Sequence, residues 1–368
     1  MHRVLLFGGY GVFGARIAER LARERGLELI VAGRSRKRAL QLVAEVGKGA
    51  QARVTAAQLD AMEVKSEALA ALRPRVVINA SGPYQWQDHR LARACIGAGV
   101  HYVDLADARQ FVSGIAALEA EARAADVLLV SGASTVPALS AAVIDAYAPR
   151  FSALEAACIV IAPGNSFDPG LATTQSILGT LGRPFAAAGG KSQSAIYGWQ
   201  SLRRQTIPGL GPRWLGACET PDLDLLPRRY PGLTSVEVFA ALEVGAFHLG
   251  LWGLSWVVRG GLVRKPERLA RPLLRVKRAL RFLGSDVGGM AITLHGRDRE
   301  GAPQRVAWHL IARRGHGPYI PTIASMIVAK GLIAGTLHQR GAMPCLGLFS
   351  LNDFFREVAD LDIGAAET

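Results

Sequence analysis

The stretch Val4–Gly26, "VLLFGGYGVFGARIAERLARERG", decides the fold. Val4-Leu5-Leu6-Phe7 is a continuous apolar run, the mark of a strand buried on both faces. Gly8, Gly9, Gly11 and Gly14 follow, and Ala15, Ile17, Ala18, Leu21 and Ala22 then recur at helical spacing. The glycines therefore sit on a strand-to-helix turn. Gly9-Tyr10-Gly11-Val12-Phe13-Gly14 fits G-x-G-x-x-G in the context where that pattern binds dinucleotides. The early glycines let backbone N–H groups approach a pyrophosphate. The helix N-terminus adds partial positive charge, and Gly14 lets the helix pack close to the strand. A tight turn without a ligand uses the same glycines, so the neighbouring sequence has to decide.

About 20 residues on, where ribose recognition falls in such folds, Glu28–Gly33 ("ELIVAG") reads as a second strand. It ends Gly33-Arg34-Ser35-Arg36-Lys37-Arg38. An NAD-preferring strand ends in a carboxylate, which repels a 2′-phosphate. A guanidinium and a hydroxyl bind that phosphate by charge-assisted hydrogen bonds. Arg34 and Ser35 thus point to NADP, with NAD the lesser choice and a solvated basic helix start the plain alternative.

The alternation continues: strands at "ARVTAAQLDA", "RVVINASGPY", "HYVDLAD" and "VLLVSGAS", and helices at "SEALAALRP", Asp88–Gly99 and Phe111–Ala125. Such regularity implies a parallel sheet with right-handed crossovers and ligands at the carboxyl ends of its strands. Those ends carry Asp60, Ser81-Gly82-Pro83-Tyr84, Asp104-Leu105-Ala106-Asp107 and Ser134–Pro137. The expected class is α/β. A doubly wound Rossmann sheet spans 1–135, and an α+β substrate and dimerisation domain with a mixed or antiparallel sheet spans 136–318. Tail helices over 319–368 pack back toward the nucleotide domain.

At Ile78–Arg109, "INASGPYQWQDHRLARACIGAGVHYVDLADAR", the chain resembles the saccharopine dehydrogenase-like family of NADP-binding oxidoreductases. "GGYGVFG", "VAGRS" and "SGASTVPALSAAVID" resemble it too, over roughly the first 150 residues. The resemblance implies reversible reduction at a carbon–nitrogen or related double bond. It places Gly9, Tyr10, Gly11, Val12 and Phe13 at the pyrophosphate and Arg34 and Ser35 at the 2′-phosphate. Ala80, Ser81 and Gly82 fall against the nicotinamide ribose, and Gly8, Gly14 and Asp60 complete the expected cofactor set. Saccharopine-forming enzymes need an arginine-rich pocket for several carboxylates. Here the middle of the chain is rich in Trp, Phe, Leu and Gly, which favours a small, more apolar C=N, C=O or C=C substrate. An enoyl reductase of lipid metabolism stays open, as does a non-catalytic NADP-binding sensor or scaffold on a membrane.

Three residues are candidates for proton transfer: Tyr84 past the fourth strand, and Asp104 and Tyr102, which share a face of the fifth. Tyr84 as an aromatic wall and Asp104 as a loop cap are the plain alternatives. Asn165 and Asp168 read as an Asx-type turn. His295 and His309 are placed as cross-strand neighbours on a hairpin. No H-x-x-H, C-x-x-C or G-x-S-x-G occurs, so metal and serine-hydrolase chemistry are not expected.

Composition adds limits. The 368 residues carry a net charge of +13, much of it between Arg259 and Arg281, which hold nine Lys/Arg against Glu267 alone. A nucleic-acid binder spreads its charge over a face; this one concentrates it. The basic stretch follows an apolar one, Val244–Val263. Residues 244–283 therefore read either as a buried roof with a solvated basic face or as peripheral contact with an anionic membrane. A homodimer also stays open. The four cysteines match no metal or redox spacing and no secretory leader opens the chain, so the expected location is cytoplasmic, with peripheral membrane attachment as the variant.

Overall fold

The computed structural model describes residues 2–188 and 195–368. The chain forms two compact units, Met1–Leu139 with Pro318–Glu357, and Ser140–Gly317 with Val358–Thr368.

The first unit holds a seven-stranded parallel sheet. Its N-terminal strands are β1 (His2–Phe7), β2 (Leu27–Gly33), β3 (Arg53–Gln58), β4 (Val76–Asn79), β5 (His101–Asp104) and β6 (Leu128–Ser131). They lie in the order β3-β2-β1-β4-β5-β6, and Gly341–Pro344 adds a seventh strand parallel to β6. Strand order reverses beside β1, so the crevice for a ligand opens at the carboxyl ends of β1 and β4. Val4–Phe7 are at most 1% exposed and every residue of β2 is buried, which is why both read as continuous apolar runs.

Two helices frame the crevice, α1 (Val12–Leu21) and α2 (Arg36–Val46). The single helix expected over Phe111–Ala125 is instead three pieces: Arg109–Gly114, a 3₁₀ turn Ile115–Leu118 and Glu119–Ala124. Gly114 has the poor helix propensity that suits such a break. From the tail, the buried helix Ile320–Ala334 packs on α1, β4 and β5. The Tyr319 hydroxyl donates to Glu19 at 2.6 Å, and Lys330 pairs with Glu357 at 2.7 Å. Ser350 and Asp353 form a capping box at the start of Leu351–Glu357. Among the described residues, only Gly317–Ala334 is long and apolar enough to cross a membrane, and 56% of it is buried. Its place among β4, β5 and α1 accounts for that apolarity.

The second unit is built on a mixed seven-stranded sheet. Its order is Arg203–Ile207, Gly211–Ala217, Ser235–Ala240, Ala153–Ala162, Gly288–Arg297, Pro303–Ala312 and Ile363–Glu367. Only Ala153–Ala162 and Ser235–Ala240 run parallel. The expected hairpin is present as ten antiparallel pairs between Gly288–Arg297 and Pro303–Ala312. His295 and His309 are not opposite each other: His295 faces Arg305 and His309 faces Ala291. The end of the tail is also not helical, because Ile363–Glu367 closes this sheet's edge against Pro303–Ala312.

Candidate functional site

The turn after β1 is built so tightly that its glycines cannot be exchanged. Gly8 has φ +69°, and a Cβ there would lie 2.7 Å from the Ala80 carbonyl oxygen and 2.9 Å from the Ser81 nitrogen. A Cβ on Gly14 would lie 2.2 Å from the Gly8 carbonyl oxygen, and one on Gly9 2.7 Å from Val31 Cγ1. Gly11 is the N-cap of α1 and provides no side-chain cap, while its own N–H donates to the Gly8 carbonyl at 2.8 Å. A polyanion can therefore approach the first turn of α1, beginning at Val12 and Phe13, without meeting a side-chain cap. Gly8 also packs directly on Ala80 and Ser81, so the phosphate turn and the loop after β4 are one surface.

Tyr10 links this turn to the end of β2. Its hydroxyl accepts the Ser35 N–H at 3.0 Å, and its ring lies against Gly33, where a Cβ would fall 2.5 Å from it. The Arg38 guanidinium sits 4.5 Å from the ring centroid on a cation–π contact. The need for glycine at 33 thus comes from Tyr10. Ser35 caps α2, its hydroxyl oxygen accepting the Arg38 N–H at 3.4 Å, which leaves the hydroxyl proton free to donate. Arg34, Arg36 and Lys37 are exposed, and no acid stands in the first turn of α2. Positive charge and an uncompensated helix start coincide where a 2′-phosphate would be recognised. Asp60, half-buried after β3, accepts the Met62 N–H at 2.9 Å and so holds its own loop.

The carboxyl ends of β4, β5 and β6 carry a buried polar network. Asn79 and Asp104 are register partners, and Asn79 also pairs with Phe7 of β1. The Ser81 N–H and hydroxyl both donate to Asn79 Oδ1. Asn79 Nδ2 donates to the Tyr102 hydroxyl at 3.1 Å, and the Tyr84 hydroxyl donates to the Asn79 carbonyl at 2.7 Å. Gln87 Nε2 reaches back to the Ser81 carbonyl at 2.7 Å. Asp104 Oδ1 accepts from Ser131 Oγ at 3.0 Å and from the Gly132 and Ala106 amides at 2.9 Å each.

The three candidate proton donors are buried and hydrogen-bonded. Tyr84, Tyr102 and Asp104 are 6%, 1% and 0% exposed. Burial, with the Asp104 charge next in importance, pushes both phenols well above the ordinary tyrosine value. Tyr84 and Tyr102 bond to Asn79, which holds Ser81, while Asp104 holds Ser131 and the Ala106 and Gly132 amides. The Tyr84 ring packs on Phe111 at 5.4 Å, the aromatic-wall alternative. Asn79, Ser131 and Gln87 were not singled out in the sequence. Asn79 and Ser131 could have been, as the polar residues closing the apolar runs "VVIN" and "LLVS".

Burial pushes the Asp104 carboxyl up to about 6, against the amides and hydroxyls that hold it down. Its folded value thus lies above the unfolded one. The stability it contributes is full below about pH 4 and is lost as pH rises through about 6. Asp104→Asn keeps an acceptor for the two amides and removes the charge. Relative to that variant, the wild type should lose about 3 kcal/mol between roughly pH 4 and 7. Urea unfolding across this range measures the difference, and parallel profiles for the two proteins would refute it.

With this geometry in view, the sequence model of the saccharopine dehydrogenase NADP binding domain matches residues 4–130. That stretch runs from β1 through most of β6, about a third of the chain. The glycine turn Gly8–Gly14 lies inside the stretch that resembles an NADP-binding domain. No curated protein sequence matches the chain. Among solved structures it is similar to apo saccharopine dehydrogenase (L-Glu forming) from Saccharomyces cerevisiae, with TM-score 0.67 and 13% identity over 100% of both chains. A probable dehydrogenase from Thermotoga maritima aligns with TM-score 0.45 and 10% identity over 97% of this chain and 93% of that one. GenD2 from gentamicin A biosynthesis, in complex with NAD, gives 0.42 and 14% over 100% and 96%. The likeness to the yeast enzyme is one of fold.

Proposed function

We propose that the chain is an NADP-dependent oxidoreductase acting on a small C=N, C=O or C=C substrate. The observation that carries this reading is the continuity of the phosphate turn with the Ala80–Gly82 loop through Gly8. The first turn of α1 would hold the pyrophosphate, and Arg34 with Ser35 would hold the 2′-phosphate. Ala80, Ser81 and Gly82 would lie against the nicotinamide ribose, fixed from beneath by Asn79 and Gln87. The bound nicotinamide supplies or accepts the hydride, and the protein contributes orientation and exclusion of water. In the second unit Arg213, Arg229 and Arg297 pair with Glu243, Asp145 and Glu155. An enoyl group of lipid metabolism fits the same reading.

A non-catalytic sensor is the second reading, favoured by the burial of Tyr84, Tyr102 and Asp104. The two separate cleanly. NADPH binding followed by its fluorescence should be tight, and absorbance loss on an imine, carbonyl and enoyl panel should report turnover. Tight binding with no turnover on any member would leave the sensor standing and reject the enzyme.

A further inference from the structure

The helix Gly245–Arg259 is built the wrong way round for a water-facing helix. Its polar side chains His248 and Ser255 are fully buried. The His248 nitrogens have no hydrogen-bond partner, and burial holds the imidazole down to about 4, so it is neutral. Apart from Arg259, which turns off to Gln200 and the Tyr197 ring, the outward residues are Ala246, Leu249, Gly250, Trp256, Val257 and Gly260, the last five at three, four, ten, eleven and fourteen residues from the first. That is one helical stripe, and it carries no charge. Trp256 is 48% exposed and Leu249 40%. A Cβ on Gly250 or Gly253 would meet nothing within 4 Å, so no packing inside the chain requires glycine there, where it costs helix stability.

The helix Ala270–Ala279 presents a second apolar strip beside the first. Ala270 and Leu274 face inward. Leu269 and Ala270 pack on the same small core (Leu178, Leu181, Trp199) as Leu251, Leu254 and Val258 of the preceding helix. Leu273, Val276 and Leu283 are outward, at 36%, 51% and 51% exposure, and Leu262 and Phe282 stand out at 83% and 73%. Lys277 and Arg278 are consumed internally, by the Asn165 and Phe167 carbonyls and by Asp168. Arg264, Lys265, Arg268, Arg271, Arg275 and Arg281 remain exposed, with Glu267 the one acid among them.

We propose that the outer faces of Gly245–Arg259 and Leu262–Leu283 form a docking surface for an anionic lipid bilayer. Charge decides the occupant. A second copy of this chain would bring the same six cations against the first set across a two-fold axis, which is repulsive. An anionic headgroup layer neutralises them, while Trp256, Leu262 and Phe282 enter the acyl boundary. The surface is independent of which substrate the chain reduces.

The test is flotation of the full chain with vesicles of phosphatidylcholine alone and of phosphatidylcholine with phosphatidylserine. Co-flotation is expected with the anionic vesicles at low salt, and should be lost at high salt and with neutral vesicles. Replacing Arg264, Arg268, Arg271 and Arg275 together by Gln should weaken partitioning by about a hundredfold or more. Trp256→Ser with Phe282→Ser should cost roughly tenfold or more. Unchanged NADPH affinity and unfolding midpoint certify that the variants fold. Three results each overturn the proposal: no flotation with anionic vesicles, equal flotation with neutral ones, or a concentration-dependent dimer that the same substitutions abolish.

Discussion

Gly14→Ala should abolish measurable NADPH binding and lower the stability of the first unit by about 3 kcal/mol, the upper range for overpacking. The added Cβ would stand 2.2 Å from the Gly8 carbonyl oxygen and 2.8 Å from both the Gly8 carbonyl carbon and Gly9 Cα. All three are backbone atoms of the turn, so no side-chain rotation relieves the contact. Relief requires α1 to move away from β1, and that displaces the N–H groups at its first turn. Gly8 is coupled to the same event, because its other side is packed on Ala80 and Ser81. The expected order of damage is Gly14→Ala, then Gly8→Ala, then Gly11→Ala, whose Cβ would be 3.1 Å from the Gly8 oxygen. Thermal unfolding should show a loss of roughly 6 to 12 °C for Gly14→Ala. Wild-type affinity and midpoint in that variant would mean that the turn is not the cofactor cradle.

The sequence made the N-terminal sheet legible because parallel strands buried on both faces are written as unbroken apolar runs. β1, β2, β4 and β6 all show it. The seventh strand was invisible for the converse reason. Gly341-Ala342-Met343-Pro344 has no strand propensity, and its place comes from pairing with β6 and from the Glu119 carboxylate accepting the Ala342 N–H. The final strand, Ile363–Glu367, is similar: an exposed edge whose only instruction is the ladder of Pro303–Ala312. In the site, the tight glycine turn was readable because its packing is local. The network around Asn79 and Asp104 was not. Sequence places Tyr84, Tyr102 and Asp104 at strand ends but gives no account of their burial or of the bonds that tie them to Asn79, Ser131 and the Ala106 and Gly132 amides.

Arg34→Asp should separate the two nicotinamide cofactors. Arg34 is exposed at the end of β2, with no ion pair among the described residues, so its guanidinium is free to meet a phosphate. A charge-assisted pair of this kind contributes about 3 kcal/mol, roughly a hundredfold in affinity. Aspartate removes it and adds repulsion toward the 2′-phosphate. NADH lacks that phosphate and should bind the variant at least as well, since a carboxylate there can accept from a ribose hydroxyl. The Tyr10–Ser35 hydrogen bond and the Arg38–Tyr10 contact lie outside the substitution and keep the α2 start in place. Titrating wild type and variant with both cofactors gives four dissociation constants. A drop of about a hundredfold or more for NADPH alone assigns Arg34 to the 2′-phosphate. Equal losses for both cofactors would remove it from that role and return the basic start of α2 to a solvated helix end.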